Sequence, residues 1–154
     1  MPDDKKHLDA LLKDPQAVLN GLHAKFGVSN CPLTAAAAFT FLETGVVRTA
    51  KRTMAGLVTV QCGNSKKMSF DGLIADLKKA GHGTHYVVTK DAGTPNEHSA
   101  NFVNIRGKIY LLDAYTKKFT SDFRDGWGGK KLEVSSAWRI KIVPQDKINS
   151  STCD

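Results

Sequence analysis

The chain is 154 residues long and 41% hydrophobic, enough for one domain to bury a core without metal or disulfide staples. A single domain over 1–154, with its core over about 8–143, is therefore expected. No uninterrupted apolar run approaches the roughly 20 residues needed to cross a bilayer, and the opening Met1-Pro2-Asp3-Asp4-Lys5-Lys6 leads into no apolar segment of signal-peptide type. The net charge of +7 fits either a solubilising surface or an acidic partner. The lysine pairs, such as Lys66-Lys67 and Lys130-Lys131, have little aromatic interleaving, so nucleic acid is not the expected partner.

Along the chain, Leu8, Leu11, Leu12, Val18, Leu19, Leu22 and Phe26 form a helical stripe that Pro15 splits and Gly27 ends. Pro32 to Glu43 is the clearest helix, alanine-rich, with proline in its first turn and Gly45 just past its end. Gly56 to Gln61 reads as a strand, Phe70 to Gly81 as a glycine-closed helix, Thr84 to Thr89 as a short β run and Asp91 to Asn96 as a loop. A hairpin follows, then a loop around Asp125 to Gly129. Val134 to Val143 reads as one last strand with Trp138, Ile140 and Ile142 on one face, and the final residues as disordered. Helices first and antiparallel strands later predict an α+β domain, with the helices on one side of the sheet.

The hairpin carries the chemistry. Alternating apolar residues run up to Arg106-Gly107 and resume at once, the pattern of two strands joined by a two-residue turn. Closing Ile105 onto Lys108 pairs Val103 with Tyr110, Ala100 with Asp113 and His98 with Tyr115. His98 and Asp113 then share a face as diagonal neighbours, roughly 7–8 Å apart at the backbone. A carboxylate so placed fixes the tautomer of an imidazole and raises its basicity.

A base needs a nucleophile. Cys31 precedes Pro32 and the alanine-rich helix, so its sulfur is expected at a helix N-terminus, where first-turn N–H groups and the macrodipole favour a thiolate. Taken alone, a cysteine before a helix is more often a small buried hydrophobe, and His98 and Asp113 taken singly have structural readings too. Their joint placement argues for chemistry. Cys31, Cys62 and Cys153 match neither a disulfide framework nor a zinc pattern. A reducing compartment is expected, with a Cys62–Cys153 bridge left open. His82 and His85 with His98 lack a fourth ligand for zinc, so neither metal nor cofactor is called for. Trp127 and Trp138 read as core or loop anchors, while Asn101 and Asn104 either contact substrate or serve their own backbone.

Asn30-Cys31-Pro32 with its small-residue helix, Gly81-His82-Gly83-Thr84, and the stretch from His98 to Asp113 resemble the papain-like toxin domains of bacterial polymorphic toxins and effectors, the glutamine-deamidase group. The resemblance covers roughly 28–118. It implies a papain-like cysteine protease fold, N-terminal helices packed on an antiparallel sheet, with Cys31 as nucleophile, His98 as general base and acid, and Asp113 as orienter. Ala114-Tyr115 stands where the family often has a small residue or proline and then glutamine. No glutamine shortly precedes Cys31 to form an oxyanion hole, which leaves the Cys31 N–H and the side chain of Asn30 for that task, and Asn101 for substrate contact.

These readings make a cysteine amidohydrolase acting on a protein glutamine side chain the leading expectation. The alternatives are a cysteine peptidase or peptidoglycan amidase, and, of other classes, a basic nuclease toxin or an inactive binding module. The resemblance implies synthesis in a bacterial cytoplasm, delivery by a secretion system to a target-cell cytoplasm, and a cognate immunity protein. Specificity is expected in the loops at Asp91–Asn96 and Phe119–Gly129.

Overall fold

The computed structural model describes residues 6–22, 31–47, 57–61, 65–136 and 138–142, with the backbone alone described at 31–33, 57–61 and 138–142. The first stripe folds as α1 (Lys6–Lys13) and α2 (Pro15–Leu22), broken where Pro15 starts a new first turn. Phe26 and the expected stop at Gly27 lie outside the described residues. The alanine-rich segment is α3 (Cys31–Thr44), closed by Gly45 at φ 80°, whose N–H donates to Phe41 O at 2.7 Å.

Two antiparallel sheets follow. Strand β1 (Leu57–Gln61) pairs with β8 (Trp138–Ile142), Gln61 opposite Trp138. The larger sheet has the order β2-β7-β3-β4-β5-β6, built from β2 (Ser65–Ser69), β3 (His85–Lys90), β4 (His98–Ile105), β5 (Lys108–Asp113), β6 (Lys118–Thr120) and β7 (Lys131–Ser135). Helix α4 (Phe70–Ala80) joins β2 to β3, and the short turn α5 (Arg124–Trp127) precedes β7. The class is α+β.

Two expectations are corrected here. The stretch from Val134 to Val143 is not one strand, because it divides between β7 of the large sheet and β8 of the small one. The helices also cover both faces of the large sheet. Leu8, Leu11, Leu19, Leu22, Ala37, Ala38, Phe41 and Leu42 of α1–α3 pack on Val103, Ile105 and Leu112, while Phe70, Leu73 and Leu77 of α4 pack on the reverse face with Val88, Phe102 and Leu111. Strand β4 is buried throughout except at His98, as a strand covered on both sides must be.

On the α4 face, Phe102 is fully buried and meets Phe123 and Trp127 edge to face, at 5.1 Å from each. Such pairs contribute about 0.5–1.5 kcal/mol beyond area burial. Beside them Tyr86 Oη donates to Asp76 Oδ2 at 2.7 Å. Partial burial first, and then Asp76, push its phenol up from 10.0 to about 12. Both folded and unfolded chains hold this proton below pH 10, and the unfolded chain loses it first as pH rises through about 12. Stability is therefore expected to fall across that window. Urea unfolding of the parent and Tyr86→Phe should show a shallower alkaline decline in the variant; equal declines would contradict the coupling.

Candidate active site

The hairpin register is the expected one: Ile105 faces Lys108 and Val103 faces Tyr110. Arg106 and Gly107 both take positive φ, 53° and 91°, as a twist-matched two-residue turn requires. Arginine is unusual there, and two bonds brace it. Arg106 N–H donates to His82 Nδ1 at 2.8 Å and Gly107 N–H to Asn104 Oδ1 at 2.8 Å. His82 thus serves the turn. Asn104, fully buried, also donates from Nδ2 to Leu77 O near the end of α4, so it serves backbone rather than substrate.

The β4–β5 ladder stops at Asn101–Leu112, short of the expected Ala100–Asp113 and His98–Tyr115 pairs. In that first stretch β4 is laddered only to β3, with His98 opposite Lys90. Alternation still places His98, Ala100 and Asp113 on the α4 face, and His98 Nε2 meets Asp113 Oδ2 at 2.6 Å. The imidazole is 17% exposed and the carboxylate 5%, so the pair is largely sheltered from screening. Asp113 Oδ1 accepts the N–H groups of Tyr115 and Thr116 at 3.1 and 3.2 Å. These bonds turn the chain after β5 and hold the carboxylate still.

Aromatic rings border the imidazole: Tyr115 at 5.9 Å and Trp127 at 6.0 Å between centroids. Trp127 is nearly buried, with Lys90 Nζ 4.7 Å from its ring centre. Lys90 Nζ also donates to Gly126 O at 2.9 Å. Lys130, just past the expected specificity loop at Phe119–Gly129, has its Nζ 3.2 Å from Oδ1 of Asp91, the first residue of the other. Nothing in the pattern of residues 119–129 foretold that Trp127 would lie against His98, because its segment has no period and its place depends on long-range packing. An open groove of about 490 Å³ on the same side of the sheet, floored by Phe70, Ile74 and Phe123, includes neither His98 nor Asp113 in its lining.

Helix α3 approaches from the opposite face. Ala35 O accepts from Asn101 Nδ2 at 3.0 Å, and near the other end Glu43 Oε1 lies 2.7 Å from His85 Nε2, with His85 opposite Val103. The helix therefore runs in the same direction as β4. Cys31 lies four residues, about 6 Å of helix, before Ala35, toward the His98 end of β4. Cys31 opens the helix as expected, with Pro32 second. Its side chain, all of Asn30, and Cys62 and Cys153 lie outside the described residues, as does the Trp138 side chain. Asn101 is fully buried, bound to the α3 backbone. Among the described residues, no group of three or more His, Cys, Asp or Glu side chains is placed to hold a metal ion, and no helix is long and apolar enough to cross a membrane.

No protein-family model matches the chain, and no curated protein is significantly similar to it. The functional reading therefore rests on the residues themselves.

Proposed function

We propose that the chain is a papain-like cysteine amidohydrolase of the bacterial toxin and effector group that deamidates protein glutamine side chains. The observation that carries this reading is the His98 Nε2–Asp113 Oδ2 bond of 2.6 Å at the start of β4, together with Cys31 as the first residue of α3. A carboxylate that accepts the Nε2 proton leaves Nδ1 to exchange protons with the nucleophile and leaving group.

The Cys31 thiolate attacks the carboxamide carbon, and the developing oxyanion takes a hydrogen bond from the Cys31 N–H, with Asn30 as a second donor. The C–N bond breaks as His98 delivers a proton to the departing nitrogen, releasing ammonia and leaving a thioester. Water then gives a proton to His98 and attacks the thioester, and the acid departs as the thiolate is restored. Nothing here requires a metal or cofactor. A net charge of +7 suits an acidic target or an acidic immunity protein. Delivery to a target-cell cytoplasm fits a thiol that must stay reduced.

The test is expression in bacteria with and without an export signal, followed by proteome-wide mass spectrometry. The expected result is toxicity of the unexported form with glutamine converted to glutamate in a target protein, absent in Cys31→Ala. Toxicity of the exported form alone, with cut muropeptides, would replace this substrate with peptidoglycan, and cleaved target chains would replace it with a peptide bond.

A further inference from the structure

The first half of α3 is buried through small side chains, since Thr34, Ala35, Ala36, Ala37 and Ala38 are all 0–2% exposed, and its large buried side chains, Phe41 and Leu42, lie in the second half. Methyl groups interlock weakly, so packing alone specifies the position of that first half poorly. Against it stands Asn101, 0% exposed, on a strand whose neighbours on the same side include Val87, Val103 and Leu112. Its Nδ2 donates to Ala35 O at 3.0 Å, while its Oδ1 is buried with no hydrogen-bond partner among the described residues. A leucine there would bury similar volume without stranding a buried acceptor. Nor does the helix need this donor, for a carbonyl at that depth in a helix can already accept from the N–H four residues on. What the amide adds is direction: it binds one carbonyl of α3 to one residue of β4, three residues from His98.

We infer that Asn101 is a positioning residue, whose tether to Ala35 sets α3 along β4 and so holds Cys31 toward His98. This rests on the proposed Cys31–His98 chemistry and assigns Asn101 a part in it without any contact with substrate. The His85–Glu43 contact secures the far end of the same helix, but with Glu43 60% exposed it is the weaker hold.

The test uses the full chain carrying Cys62→Ser and Cys153→Ser, with and without Asn101→Leu, and follows the rate of Cys31 alkylation by iodoacetamide against pH. In the parent, Cys31 should react at mildly acidic pH. In Asn101→Leu, folded by circular dichroism, the rate there should drop at least about tenfold and the profile move toward that of an ordinary thiol, about 8.5. An ordinary profile in the parent overturns the proposed chemistry itself. A depressed parental profile that Asn101→Leu leaves unchanged overturns the tether alone. If Asn101→Leu fails to fold, Asn101→Val is read in the same way. Failure of both to fold would make Asn101 a stability element and overturn the positioning role.

Discussion

His98→Ala is expected to lower turnover by up to about 10⁶-fold, the loss typical when a nucleophile's base is removed, and to abolish toxicity in cells. The side chain is 17% exposed at the first residue of β4, so its truncation leaves the core of Phe102, Leu111 and Val88 intact. Urea unfolding should show little change. The comparison separates a catalytic imidazole from a structural one: a structural histidine would lose stability and activity together. Variant and parent of equal toxicity would rule out His98 as the base.

Asp113→Asn carries the second large effect. The side chain does two things: Oδ1 accepts the N–H groups of Tyr115 and Thr116, and Oδ2 holds His98 Nε2. Asparagine can keep the first role while its amide nitrogen donates to Nε2, which forces the imidazole proton onto Nδ1 and leaves no acceptor facing the nucleophile. Turnover should fall by about 10²–10⁴-fold with the fold retained. Asp113→Ala should lose the rate and also about 1–3 kcal/mol of stability, because the turn's N–H groups lose their acceptor. Steady-state kinetics beside urea unfolding distinguishes the two variants. An Asp113→Asn protein with parental turnover would reduce Asp113 to a turn former.

The hairpin was legible because Arg106-Gly107 leaves a two-residue turn as the simplest closure, and that closure fixes the pairs from Ile105–Lys108 to Asn101–Leu112 and, through alternation, the shared face of His98 and Asp113. The starts of α3 and α4 were legible from Pro32, the alanines and the amphipathic run after Phe70. Strand β2 was not, because Ser65-Lys66-Lys67-Met68-Ser69 lies at the sheet edge, mostly exposed, where lysines suit solvent and discourage further pairing but show no apolar alternation. The division of the last strand was not legible because only Ser136 and Ala137 separate β7 from β8, with no glycine or proline to mark the change of sheet. The two-sided cover of β4 was obscured by Ser99, Asn101 and Asn104, polar residues buried in a strand that would otherwise read as an apolar run. Their hydrogen bonds to Thr89, Ala35 and Leu77 are long-range facts that local pattern does not encode. Trp127 was hidden for a related reason: α5 holds Asp125 at ψ 122° and Gly126 at φ 92°, a bent turn that reads simply as loop.

The central claim is that Cys31 and His98 form a working nucleophile and base. It is tested most directly by site-resolved alkylation of the native chain at mildly acidic pH, mapped by mass spectrometry for Cys31, Cys62 and Cys153 in the parent and in His98→Ala. The account predicts preferential labelling of Cys31 in the parent and loss of that preference in the variant, because the imidazolium is what sustains the thiolate. Equal labelling of the three cysteines in the parent, or a Cys31 preference that survives removal of His98, would contradict it.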